Sequence, residues 1–144
     1  MASKVTLDAF DHVGLVVKDV KAASESWSSK IGISDWKFTD YPQVKLAHGR
    51  MGPLQYELIE PVAGQKSLWA AFLEERGEGL HHVSYTVRDV DDAVAKLIED
   101  GGRVMTDPSG RPIAIGSNPM YMAYMEIGGP GSIILELLKT REPR

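Results

Sequence analysis

Gly79-Leu80-His81-His82-Val83-Ser84-Tyr85-Thr86-Val87-Arg88-Asp89-Val90 reads as an apolar strand running into the start of a helix. Seventy positions earlier stands Ala9-Phe10-Asp11-His12-Val13-Gly14-Leu15-Val16-Val17-Lys18-Asp19-Val20. His12 falls on His82, Val13 on Val83, Val17 on Val87, Asp19 on Asp89 and Val20 on Val90, and three residues further Ala23 falls on Ala93. The repeat carries one histidine at the same place in each copy, and the reading of the whole chain follows from it.

In the first copy, Phe10 to Val17 has strand length and is rich in valine. Strand alternation puts His12, Gly14 and Val16 on one face and Val13, Leu15 and Val17 on the other. Asp19 is placed to cap a helix through its carboxylate. Val20, Ala23, Trp27 and Ile31 recur at helical spacing, and Gly32 ends the helix. Strands follow at Asp35 to Tyr41, Val44 to Gly49 and Leu54 to Glu60, with a Met51-Gly52-Pro53 turn between the last two. In the final strand Gln55, Glu57 and Ile59 share a face.

Ser67 is placed to cap a short helix through Leu73, and the pattern then restarts. Leu80 to Val87 is a strand with His82, Ser84 and Thr86 on one face, while His81 on the other face reads as structural. Asp89 caps a helix that Gly101-Gly102 closes. Arg103 to Thr106 and Met120 to Ile127 are strands, separated by a long loop over Asp107 to Pro119. The last strand, Ser132 to Lys139, puts Ile134, Glu136 and Leu138 on one face. Each half is therefore a βαβββ unit in an α+β chain, with module 1 over about 8–63 and module 2 over about 79–139 of a single 144-residue domain. One such unit has a bare sheet face, so two must pair.

Composition narrows the partners. The net charge of −4, with 43% hydrophobic and 25% charged residues, is that of an ordinary globular protein without the basic character of a nucleic-acid binder. The absence of cysteine excludes disulfides, thiolate ligands and a cysteine nucleophile. No apolar run is long enough to span a bilayer and the N-terminus lacks a signal-peptide core, so the expectation is a cytoplasmic protein without membrane contact.

Four side chains stand out by position. His12 and His82 are equivalent in the two first strands. Glu57 and Glu136 lie in the last strand of each half, followed by Leu-Ile and Leu-Leu respectively. A carboxylate within an apolar strand is costly unless it is paired or holds a cation. Two imidazoles and two carboxylates related by an internal repeat suit one divalent ion such as Zn²⁺, Ni²⁺, Co²⁺, Mn²⁺ or Fe²⁺. Four protein ligands in an octahedral arrangement leave two positions for water or a chelating substrate. His48 reads as solvent-facing in the third strand, with a base role as its alternative.

These halves, with His12, Glu57, His82 and Glu136, resemble the vicinal oxygen chelate superfamily of glyoxalase I, extradiol dioxygenases and bleomycin-resistance proteins. Within it the nearest resemblance is to the methylmalonyl-CoA epimerase family. Asp11 to Val20, Glu57-Leu58-Ile59-Glu60-Pro61 and above all Leu73-Glu74-Glu75-Arg76-Gly77-Glu78-Gly79-Leu80-His81-His82-Val83 carry it. The resemblance implies tandem modules forming a curved mixed sheet around a metal cleft, with His12, Glu57, His82 and Glu136 as ligands. It implies an isomerase or epimerase that abstracts a proton alpha to a carbonyl of a small oxyacid, such as an acyl-CoA like methylmalonyl-CoA. Glu136 is then a ligand that doubles as base. Lys45 stands where the family has a third-strand glutamate, as a second proton carrier or a partner for a substrate carboxylate or phosphate. Where the family carries a His-Pro-Lys-Ser segment before its last strand, this chain has Glu126-Ile127-Gly128-Gly129-Pro130-Gly131-Ser132. Family members commonly dimerise, so a homodimer is among the expectations. A glyoxalase I-like lyase, another metalloenzyme of the superfamily and a metal-free small-molecule-binding protein are the alternatives. The second glutamate argues against an Fe(II) dioxygenase, since those members use two histidines and one carboxylate.

Overall fold

A computed structural model describes residues 4–106 and 122–140 of the chain. The fold is α+β, with eight strands and three helices among the described residues. The order is β1 (Ala9–Val16), α1 (Val20–Ile31), β2 (Ser34–Asp40), β3 (Val44–Met51), β4 (Leu54–Pro61), α2 (Leu68–Arg76), β5 (Gly79–Val87), α3 (Val90–Glu99), β6 (Arg103–Val104), β7 (Met122–Glu126) and β8 (Ile134–Lys139). The chain divides into two compact units, one over residues 12–81 and the other combining 1–11 with 82–144. No helix among the described residues is long and apolar enough to cross a membrane.

In the unit over residues 12–81 the strand order is β2-β3-β4-β1. β1 runs parallel to β4, with Gly14 beside Glu57, and β3 pairs antiparallel with both neighbours. The Asp19 carboxylate accepts from the Ala22 N–H at 2.9 Å and so caps α1, and Gly32 closes the helix in the left-handed region at φ 75°. The helix brings Val20, Ala23 and Trp27 into one apolar cluster with Val17, Ala47, Leu58, Leu15 and Trp36. Ile31, expected on the apolar helix face, is 52% exposed instead. The left-handed turn at Gly32 redirects the chain, and it is Ile33 that enters the interior.

Trp36 fixes the start of β2. Its indole Nε1 donates to Ser28 Oγ at 2.9 Å, and that hydroxyl donates to the Ile33 carbonyl at 2.6 Å. The indole lies over Gly49, where an added Cβ would stand 2.7 Å from the Trp36 ring and 2.8 Å from Ile33. A Gly49→Ala variant is therefore expected to lose about 1–3 kcal/mol by overpacking, read as a lower urea midpoint at unchanged slope. An unchanged midpoint would show that Trp36 can step aside.

In the other unit the order is β5-β8-β7-β6. β5 runs parallel to β8, with Ser84 beside Glu136, and β7 pairs antiparallel with β8 and β6. The Asp89 carboxylate caps α3 through the Asp92 N–H at 2.9 Å, and the Gly102 N–H closes it on the Leu97 carbonyl at 2.7 Å. The core gathers Val87, Val90, Ala93, Ala123, Met125, Leu135 and Leu137. Val5 packs against this core, Asp8 N–H donates to the Thr86 carbonyl, and Thr140 Oγ1 donates to Asp8 Oδ2 at 2.7 Å.

Both βαβββ units of the sequence reading are present, with shifted strand ends. β6 is Arg103–Val104, but the pairing continues past it, the Met105 N–H donating to the Tyr124 carbonyl at 2.9 Å, and β7 is described over Met122–Glu126, while Met120 lies outside the described residues. β8 begins at Ile134 because the Ser132 hydroxyl accepts the Gly128 N–H at 3.0 Å and is held in the turn. The predicted loop over Asp107 to Pro119, with Arg111, also lies outside the described residues.

Candidate metal centre

Strand alternation decides which side chains meet. Along β1 the buried positions are His12, Gly14 and Val16, as the two-residue period requires. Gly14 is in register with Glu57 of β4, so His12 and Glu57 share a face. His12 Nε2 stands 3.6 Å from Glu57 Oε1, with both side chains buried. The other unit repeats this arrangement. Ser84 falls on Gly14 in the repeat and is in register with Glu136, and His82 Nε2 stands 2.9 Å from Glu136 Oε2. His82 is 1% exposed and Glu136 5%. Each unit thus buries one imidazole against one carboxylate at equivalent places.

His81 is buried on the opposite side of β5. The Phe72 ring meets it edge-on at 5.0 Å, which agrees with a structural role.

A further residue belongs to the first pair. His48 of β3 lies directly opposite Glu57, and its Nε2 is 2.7 Å from Glu57 Oε2. The sequence reading of His48 as solvent-facing is corrected here: its side chain is only 28% exposed and is engaged with the carboxylate. The corresponding position opposite Glu136 holds Tyr124, fully buried, with its ring edge-on to His82 at 5.1 Å.

Lys45 is not brought to Glu57. It is exposed, and it pairs in register with Glu60, whose carboxylate accepts the Val20 N–H at 3.2 Å. Glu60 and Ala47 both stand on the α1 side of the sheet. Lys45 is three residues from His48, an odd spacing that puts it on that side too. The face of β3 turned toward Glu57 carries Val44, Leu46, His48 and Arg50, and none of these is a carboxylate. Arg50 is exposed and donates to Gln55 Oε1 at 3.2 Å.

The donor set fits a divalent cation. Each pair supplies an imidazole nitrogen and a carboxylate oxygen, the combination that borderline first-row ions take. A carboxylate as buried as Glu57 or Glu136 carries a desolvation cost that a cation offsets.

The sequence profile of the Glyoxalase/Bleomycin resistance protein/Dioxygenase superfamily matches residues 11–124. An ethylmalonyl-CoA/methylmalonyl-CoA epimerase of Cereibacter sphaeroides is 32% identical over 105 residues, covering 71% of this chain and 76% of its own. The uncharacterised YqjC of Bacillus subtilis is 23% identical over 137 residues, 94% of each chain. A variant methylmalonyl-CoA epimerase of Streptomyces coelicolor, solved with 2-nitronate-propionyl-CoA, shares the fold at a TM-score of 0.75 and 23% identity, over 95% of this chain and all of that one. With a profile match that takes in most of the chain, from the first strand into β7, the chain belongs to the Glyoxalase/Bleomycin resistance protein/Dioxygenase superfamily.

Proposed function

We propose that His12, Glu57, His82 and Glu136 hold one divalent cation and that the two units work as one catalytic domain. The activity is a metal-dependent isomerisation or epimerisation that begins by removing a proton alpha to the carbonyl of an acyl-CoA or similar oxyacid. The observation that carries this reading is the grouping of these four buried side chains as possible ligands of a metal ion. Relationship to an ethylmalonyl-CoA/methylmalonyl-CoA epimerase supports the acyl-CoA class.

A cation held there would act as a Lewis acid on the substrate carbonyl and make the alpha proton more acidic. The residues of the chain would do the rest. Glu136 accepts the proton on a carboxylate oxygen and can return it. Its burial excludes water from the transfer. His12 and Glu57 would complete the set of side chains that holds the ion.

Epimerisation needs a second group on the opposite face of the carbon. The absence of a carboxylate on the Glu57 side of β3 favours a second reading with one base: a glyoxalase-like isomerisation that returns the proton to the neighbouring carbon. One experiment tests the first reading against this one. The metal-loaded protein is incubated in D₂O with methylmalonyl-CoA and, separately, with a hemithioacetal. Deuterium entering the acyl-CoA only with metal present supports the first reading. Turnover of the hemithioacetal alone supports the second, and elemental analysis with no bound metal and no affinity for Ni²⁺ or Co²⁺ overturns both.

A further inference from the structure

We infer that His48 is a positioning residue for Glu57: it engages one carboxylate oxygen and leaves the other to face the cation. This rests on the metal reading above. His48 is the residue directly opposite Glu57 in the β3–β4 ladder, so its reach is set by backbone register and not by a long flexible side chain. An ionised carboxylate only accepts hydrogen bonds, so His48 Nε2 carries the hydrogen in the 2.7 Å contact to Oε2. That bond has the short length of a charge-assisted one.

The remaining oxygen, Oε1, is the one turned toward His12 Nε2 at 3.6 Å. Rotation of an untethered carboxylate would exchange the two oxygens. With Oε2 held by the imidazole, that exchange is blocked, and the oxygen beside the His12 nitrogen is the one presented. His48 also stands between Glu57 and the exposed Lys37, its partner on the β2 side, so the imidazole occupies the row that leads from the carboxylate to solvent.

The repeat makes the role specific to one ligand. The place opposite Glu136 is filled by Tyr124, so the two carboxylates, equivalent in position, have chemically different neighbours. An imidazole donor at Glu57 suits a ligand of fixed orientation, in keeping with the proton-transfer role resting on Glu136.

The test is titration of the metal-stripped protein with Co²⁺, by calorimetry and by the visible spectrum of the bound ion, in wild type, His48→Leu and His48→Gln. Loss of an outer partner of this kind weakens metal binding by about 10–100-fold. His48→Leu is expected to show that loss and an altered spectrum. His48→Gln, whose amide N–H reaches the position of Nε2, is expected to recover most of the affinity and the wild-type spectrum. Should His48→Leu fail to fold, His48→Asn replaces it, since its amide is too short to reach Glu57 and should bind about 10-fold or more weaker than His48→Gln. A Leu variant that binds Co²⁺ as tightly as wild type, or an Asn variant equal to Gln, overturns the positioning role and leaves the metal reading intact. A wild-type protein that binds neither Co²⁺ nor Ni²⁺ overturns the metal reading first and this inference with it.

Discussion

A His82→Ala variant is expected to lose the bound ion and to slow proton exchange by at least about a thousandfold. The polarisation of the substrate carbonyl that the proposed ion would supply would be lost with it. His82 is the least exposed of the four proposed ligands, so its nitrogen is shielded from solvent. Its removal also takes away the group 2.9 Å from Glu136 and leaves a buried carboxylate beside a cavity. A Glu136→Gln variant separates the two roles of that residue. Its amide oxygen can still face a cation, so metal content should fall less than in His82→Ala. Exchange should drop by about 100- to 10,000-fold, because an amide cannot take the proton. Metal content by elemental analysis and deuterium uptake by mass spectrometry read the two losses separately. Full exchange in Glu136→Gln would remove Glu136 from the base role, and full metal content in His82→Ala would remove His82 from the ligand set.

The second large effect is on stability. Leu58→Ala should cost about 2–5 kcal/mol, the range for truncating a fully buried leucine where the surroundings close only partly. Leu58 has no exposed surface and packs with Val17, Val20 and Ala47 beneath α1. Those neighbours are Val17 just past β1, Val20 at the start of α1 and Ala47 of β3, which backbone hydrogen bonds and the helix cap hold in place, so the cavity cannot collapse easily. For a domain of ordinary stability this is a large fraction of the total. Urea unfolding followed by far-UV circular dichroism measures it. A loss below about 1 kcal/mol would mean that the helix settles into the space. Leu58 lies on the opposite side of β4 from Glu57, so folded Leu58→Ala should keep near-normal metal affinity.

Much of this was readable in the chain. The repeat exposed both histidines because strand and helix-cap residues recur at one offset, so Asp19 and Asp89 are found capping equivalent helices. Glu57 and Glu136 were visible as charged residues in apolar strands, and the register of β1 with β4 and of β5 with β8 puts each on the face of its histidine. The role of His48 was within reach but needed register as well as alternation. Counting outward in equal steps from the two-residue turn Gly52-Pro53 sets His48 opposite Glu57, which is the pairing observed. The same count sets Lys45 opposite Glu60, on the α1 side, where alignment by resemblance alone does not look. Ile31 was expected on the buried face and is exposed, while Ile33 is buried, because one left-handed glycine lies between them and helical periodicity carries no information past the cap. The packing of Val5 and the tie from Asp8 to Thr140 had no local signal, because they join residues far apart in the chain.

That tie bears on the order in which the protein can assemble. Asp8 and Thr140 are separated by 132 residues, yet they share a hydrogen bond within one compact unit. During synthesis residues 12–81 emerge complete and can form their strands and α1 at once. The unit that holds Asp8 must wait for β8 and Thr140, and closing so long a loop is slow compared with closing a hairpin. One copy of the duplicated motif can therefore fold co-translationally while the other is finished only after β8 and Thr140 have left the ribosome. A nascent chain halted before β8 would hold His12, Glu57 and His48 without Glu136, and so would lack one of the carboxylates assigned to the ion.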